Sequence, residues 1–445
     1  MPPWAPDADN GTLEMRLAAA CAARAGTGIV VPPGWLTVPA LPLTANERLA
    51  IGDLLGANAE VLVAVRAARA KADVDWQIPI RSPEWADQTY RLDGLGDVVA
   101  LLGLAALFEH DRGNDAQALD HVRSMLYLGR SLSVRPFLFS QRSGGVVASA
   151  AARRLAEVVP DLRVAGGAGP VDRAATAHQV RELVAEFVDD RPWRDGMRQG
   201  FRAERARLVQ SSRALVDGRL TFSQLRPGLA SQDDSVSRAR DSLAVPALDA
   251  VFRHAGRPLI FDDGVLMARH LEVVMRAFDD SPDWPTAWRR IPMVPPEAGG
   301  AWCGFIHTSV TILLPSYRWD ASRYFEASAE RRLAATALAV RWYACDHGGA
   351  LPARLDDLVP DYLPSVPLDS LAEGTPLGYV ADPDRPVVYS VGDNGKDDGG
   401  REYREDAPWP ERYQTDEVRR LKREPRRVLE WKTVEPNTCA GAVPG

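Results

Sequence analysis

The sequence runs to 445 residues, 46% apolar and 25% charged, with 60 acidic residues against 53 basic ones and a formal net charge of −7. That balance belongs to an ordinary globular chain of two to four domains at roughly 150 residues each, and it excludes a disordered, collagen-like or disulfide-scaffold protein. Only four of the basic residues are lysine, and a mildly acidic chain lacks the positive field of a dedicated nucleic-acid binder, so no nucleic-acid partner is expected.

Residues 1–40 read as an irregular N-terminal segment with one Ala-rich helix over 13–25 and a Pro-rich stretch over 31–42. Thr44 and Glu47 then form a capping-box pattern, in which each side chain satisfies the other residue's backbone N–H. A helix follows with Leu54, Leu55, Val61, Leu62 and Val65 on one face. Residues 98–108 are apolar nearly all round, the mark of a helix buried against several neighbours. Arg112-Gly113-Asn114 breaks it, and Ala118, Val122, Leu126, Gly129 and Leu132 continue at helical spacing up to Pro136. The pair is faintly like a tetratricopeptide hairpin, but no ~34-residue recurrence supports a solenoid. Further helices are expected over 146–159, 173–188 and 197–216, the first two separated by the glycines of 166–169.

Residues 231–242 are polar and read as a linker, residues 244–279 as two more helical patterns. Residues 281–302 collect five prolines with Trp284, Trp288 and Trp302, an irregular packed boundary, and residues 306–314 suggest a strand. Residues 328–347 form a strong helix that His347-Gly348-Gly349 stops, glycine supplying a left-handed cap. A short 3₁₀ turn at 355–359 follows, then two short strands at 377–380 and 386–391 joined by hairpin-turn chemistry at Asp382-Pro383-Asp384-Arg385. The fold class read from these patterns is a mainly α N-terminal region of helical hairpins plus a small α+β C-terminal module. Its divisions are 1–40, a helical domain over 41–230, a helical and irregular Pro- and Trp-rich region over 231–318, the module over 319–412, and a charged tail over 413–445.

The module carries a resemblance. Leu351-Pro352, the run from Tyr362-Leu363-Pro364 to Asp369, Gly374-Thr375-Pro376-Leu377-Gly378-Tyr379, and Tyr389-Ser390-Val391-Gly392-Asp393-Asn394-Gly395 stand in the order and spacing of the globular part of type II secretion major pseudopilins. The resemblance covers residues 328–400. Large bacterial proteins with helical N-terminal regions carry similar modules. The departures are equally specific. Pseudopilins begin with a cleavable leader and a long hydrophobic helix bearing an early Glu, and no such run follows Gly11-Thr12-Leu13-Glu14 or Gly304-Phe305. Filament assembly is therefore not implied. Ser370 and Leu371 replace the family's proline and aromatic residue, which predicts a looser local turn.

In the family the acidic loop after the hairpin holds calcium, which takes roughly six to eight oxygen ligands. The resemblance thus implies a calcium site at Asp393, Asn394, Asp397 and Asp398, with Asn394 in place of a family Asp and one charge fewer. The competing reading of the same residues is a solvated turn whose acids keep a hairpin soluble.

Chemistry elsewhere is sparse. There is no nucleophile elbow, phosphate loop or H-E-x-x-H helix, and the seven histidines include no pair at metal-ligand spacing on a helix. His347 reads as a helix-end residue at the carbonyl pole. Ser143-Gly144-Gly145 and Trp302-Cys303-Gly304 look nucleophile-like but have no local base, and they read as a surface turn or packed loop. The Asp-Asp doublets read as caps and loops, because adjacent helical residues point about 100° apart. The four cysteines, Cys21, Cys303, Cys345 and Cys439, form no C-x-x-C pair, which argues against a zinc ribbon. Residues 418–432 hold seven basic and two acidic residues, a run that reads as solvated or paired within the chain.

No apolar run is long enough to span a membrane, and the sequence as it stands is read without a signal peptide, an export segment upstream of Met1 remaining an alternative. The leading reading is a non-enzymatic cell-envelope or secretion-associated protein whose helical region meets protein partners. The alternative is an enzyme of unrecognised class with a site between the helical region and the Trp-rich segment 281–302.

Overall fold

The computed structural model describes residues 10–24, 39–71, 74, 94–135, 137–165, 173–221, 257–298, 310, 317–392, 394–402 and 416–423. Over these residues the chain is mainly helical, with a small antiparallel sheet near the C-terminus, as its patterning predicts. Helix α1 (Thr12–Arg24) packs on α3 (Ala59–Arg69), which follows α2 (Ala45–Ala57). The predicted capping box opens α2: Thr44 Oγ1 accepts from Glu47 N at 3.2 Å, and Thr44 N donates to Glu47 Oε2 at 2.7 Å. The single helix expected over this stretch is two. Asn58 stands buried between them and returns its Nδ2 to Leu54 O at 2.9 Å, satisfying a carbonyl at the end of α2.

Helix α4 (Leu95–Asp111) is the apolar rod of the sequence reading, and it packs against α1, α2, α5 (Asp115–Ser133) and α6 (Leu138–Val158). Helices α5 and α6 meet at two glycines. A Cβ on Gly144 would lie 2.4 Å from Ser133 Oγ and 2.7 Å from Gly129 O, so only glycine permits this approach. A two-residue parallel pairing of β1 (Val164–Ala165) with β2 (Ala175–Thr176) leads into α7 (Ala177–Val188), whose Thr176–Gln179 capping box was not anticipated. Helix α8 (Arg191–Val216) lies along α9 (Arg257–Asp279), and the short α10 (Trp284–Arg290) is capped by Asp283, whose Oδ1 accepts from Thr286 N at 2.8 Å.

Helix α11 (Tyr317–Asp346) begins well before the expected Ser328 and is buried on nearly every side. It packs against α6, α7 and the C-terminal sheet, so one helix belongs to both the helical body and the C-terminal module. It ends as predicted, with Gly348 at φ +64°. His347 closes it by bringing Nδ1 to 2.8 Å from Tyr343 O while its ring stacks on Tyr343 at 3.8 Å. The 3₁₀ turn forms at Leu355–Leu358. Strands β3 (Gly378–Val380) and β4 (Val387–Ser390) form the expected hairpin, with Asp382 Oδ1 accepting from Asp384 N at 2.7 Å and Arg385 N at 3.0 Å.

A third strand, β5 (Glu417–Arg420), completes the sheet in the order β3-β4-β5. It lies within the stretch expected to be a charged tail. The reason is that β4 is buried along its whole length, and β5 supplies the hydrogen-bond partners for its second edge. The basic residues there are paired within the chain: Arg420 Nε donates to Glu402 Oε1 at 2.6 Å, and Arg423 joins Asp161. Residues 231–242, Asp393, Cys303, Cys439 and residues 424–445 lie outside the described residues, as does the strand expected over 306–314 apart from Val310. Among the described residues no helix is long and apolar enough to cross a membrane.

Candidate functional site

The C-terminal module is organised around Asp369. Its carboxylate is buried and accepts three hydrogen bonds, from Leu371 N at 2.9 Å and Ser390 Oγ at 2.8 Å on one oxygen and from Val391 N at 2.9 Å on the other. One side chain thus ties the turn after Leu363-Pro364 to the end of β4. Ser370 and Leu371, which stand where the family has proline and an aromatic residue, are both held in place. Ser370 Oγ donates to Phe325 O at 3.0 Å and Leu371 is buried, so a hydroxyl and an aliphatic side chain do the anchoring. Ser370 O in turn accepts from Trp284 N at 2.8 Å, which fastens the Trp-rich segment to the module. The two tyrosines of the hairpin sit on paired strands. Tyr379 donates its hydroxyl to Pro352 O at 2.9 Å, and burial pushes its pKa up to about 12.

Beyond β4 the acidic loop is knitted to itself. Asn394 Oδ1 accepts from Lys396 N at 2.8 Å while its Nδ2 donates to Asp398 Oδ2 at 2.8 Å. Asp397 Oδ1 accepts from Gly399 N at 2.9 Å, and its carboxylate lies close enough to the Tyr389 hydroxyl to act on its titration. Burial, with the negative charge of Asp397 adding to it, pushes the Tyr389 pKa up to about 12. Asp416, which the sequence reading did not single out, closes the loop by accepting from Asp398 N at 3.2 Å and Gly400 N at 2.7 Å. Burial raises its pKa, and the nearby Asp398 carboxylate adds to the rise. Asp416 follows Asp398 by 18 positions and reaches it only because β5 pairs with β4, so no local pattern announces it. Among the described residues no group of three or more His, Cys, Asp or Glu side chains is placed to hold a metal ion. The described oxygens are of the kind a hard cation takes, but in this arrangement they accept from backbone amides and from the Asn394 side-chain amide.

A second polar centre joins α8 to α11. Asp190 accepts from Tyr324 Oη at 2.6 Å and Ser328 Oγ at 3.3 Å, and pairs with Arg331 and Arg332. Burial works to raise the Asp190 pKa, but the two guanidinium groups hold it below the usual carboxylate range. Arg331 is 1% exposed and lies 4.9 Å over the Trp193 ring. Beside this centre a cavity of about 290 Å³ opens between α6 and α11, lined among others by Arg142, Arg153, Trp193, Trp319, Arg323 and Arg331. A smaller one of about 150 Å³ lies between α8 and α9. Neither is lined by a described residue of 281–302, the segment that bounds one side of the site in the enzyme reading. No known protein family, characterised protein or solved structure matches the chain.

Proposed function

We propose that the chain is a non-enzymatic protein of the cell envelope or secretion apparatus, with a helical body that acts as an interaction scaffold for protein partners. Its C-terminal module is, in this reading, of the pseudopilin globular type. The observation that carries the reading is the Asp369 junction, which links the Leu-Pro turn to the hairpin at the positions the family motif picks out. The packing of the hairpin sheet against the long helix supports it further. Filament assembly is not part of the proposal, since no described helix has the length and apolar character of a pseudopilin anchor.

The acidic loop is the module's calcium element in this reading. Asn394, Asp397 and Asp398 would supply side-chain oxygens, joined by Asp393 in the sequence and by Asp416 immediately before β5. A bound cation would replace the loop's internal hydrogen bonds and offset the repulsion between Asp398 and Asp416. Thermal unfolding of the full chain with calcium, with magnesium and with chelator tests the loop. A melting point raised by calcium, and a rise abolished by Asp397→Asn with Asp398→Asn, is the expected result. No rise in the wild type removes calcium from the proposal. Fractionation of cells expressing the chain at its native level tests the scaffold. Envelope association is expected, and recovery wholly in the soluble fraction overturns the assignment.

A further inference from the structure

The cavity between α6 and α11 holds more cationic donors than the packing of the two helices uses. The helices touch where Gly145 faces Ala327, a Cβ on the glycine standing an ordinary 3.7 Å from that of the alanine. Ion pairs cross between them on either side of that contact: Arg142 Nη2 donates to Asp320 Oδ2 at 3.0 Å, and Arg153 Nε lies 3.7 Å from Glu330 Oε2. The carboxylates lie deep and the guanidinium groups high. Asp320, Glu330 and Glu326 side chains are 1%, 19% and 26% exposed, whereas those of Arg142, Arg323 and Arg153 are 41%, 48% and 60% exposed.

Each guanidinium carries five N–H donors. Arg142 spends its Nε and Nη2 on Asp320, Arg323 an Nη1 on Glu326 at 2.6 Å, and Arg153 its Nε on Ser149 O at 3.4 Å. Their other donors have no hydrogen-bond acceptor among the described residues. Three further atoms on residues that line the cavity, the donors Trp193 Nε1 and Arg331 Nε and the carboxylate oxygen Glu330 Oε2, are buried with no hydrogen-bond partner. Apolar surface adjoins this donor set: Val146 is 65% exposed, and Trp319 is 52% exposed with Arg323 lying 4.1 Å over its ring.

We infer that this groove binds a small organic anion, a carboxylate or phosphate group carried on a compact apolar body. The guanidinium fork matches the paired oxygens of either group. A volume of about 290 Å³ lies at the lower end of ligand pockets and suits a single-ring or short-chain molecule better than a nucleotide or peptide. The anion meets the rim arginines while its apolar body lies against Trp319 and Val146. Because Arg142 and Arg153 reach from α6 to carboxylates on α11, an anion held there would brace the two helices together.

Calorimetric titration of the full chain with benzoate, phenyl phosphate, inorganic phosphate and benzylammonium tests the inference. Saturable binding of at least one of the three anions is expected, with none of the ammonium compound. Benzoate alone would assign the site to carboxylates, and the phosphates alone to phosphoryl groups. The double variant Arg153→Gln with Arg323→Gln should weaken the bound anion at least tenfold. Its own melting point should match the wild type, since these half-exposed pairs contribute little to stability. Silence of all three anions, unchanged affinity in the variant, or binding of benzylammonium would overturn it.

Discussion

Replacing Asp369 is the sharpest test of how the C-terminal module holds together. The side chain is 2% exposed and accepts three hydrogen bonds. Asp369→Ala leaves two backbone N–H groups and the Ser390 hydroxyl without their acceptor in a buried setting. A hydrogen bond to a charged group contributes roughly 1.5–3 kcal/mol, and a buried donor left unmade costs about 1–3 kcal/mol. These terms overlap, since all three act through one carboxylate. The expected loss is therefore about 3–5 kcal/mol, in the range of broken buried networks.

Asp369→Asn separates the two oxygens. Leu371 N and Ser390 Oγ share Oδ1, which asparagine keeps, whereas Val391 N meets the other oxygen, which asparagine replaces with an NH₂ donor. One bond of the three is lost and two donors confront each other, at a cost of about 1–3 kcal/mol. Urea unfolding gives the total, and amide exchange at Leu371 and Val391 assigns it: both amides lose protection in the alanine variant, mainly Val391 in the asparagine one. An alanine variant within about 1 kcal/mol of wild type, or equal losses in the two variants, would refute the reasoning.

Gly144→Ala should destabilise the α5–α6 contact by about 1–3 kcal/mol in thermal or urea unfolding, because the new methyl meets backbone and the Ser133 hydroxyl well inside contact distance. Its neighbour is the control: Gly145→Ala places a methyl at ordinary contact and should be neutral, or more stable by up to about 1 kcal/mol from helix propensity. Acid should weaken the fold before the carboxylates titrate. Burial lowers His121 and His270 from 6.5 to about 4, with Arg66 and Arg69 adding to the effect at His121 against Asp120. Their contribution is complete above pH 6.5 and is lost as the pH falls toward 4, because the unfolded chain takes up protons that the folded one refuses. It amounts to on the order of 3 kcal/mol for each histidine. Urea unfolding free energies at pH 7 and pH 5 should differ in the wild type and converge in His121→Gln with His270→Gln. A decline of equal size in the variant would count against the buried histidines as its source.

What the sequence determined by itself are features settled within a few residues of chain. Thr44 and Glu47 cap α2, the apolar rod of α4 lies at the centre of its neighbours, Gly348 stops α11, and Asp382 makes the hairpin turn through its own carboxylate. In each the partner is close in sequence or the periodicity is intrinsic, so propensity and pattern carry the outcome. The same locality explains the misreadings. Asn58 could not be told from an ordinary helical residue, and β5 looked like a basic tail because its reason for existing is the open edge of β4.

The tertiary structure decided everything that depends on distant partners. Asp190 meets Arg331 across 141 positions and Arg142 meets Asp320 across 178, so neither a doublet nor an isolated arginine signalled its place. Asp416 enters the acidic loop only after the third strand pairs. Ser143-Gly144-Gly145, whose pattern reads as a surface turn or packed loop rather than a nucleophile, lies inside α6 and marks a helix crossing where backbone meets backbone. A charged side chain can reach many acceptors in a chain of this length, and which one it finds is set by the packing of apolar faces that the local sequence leaves open.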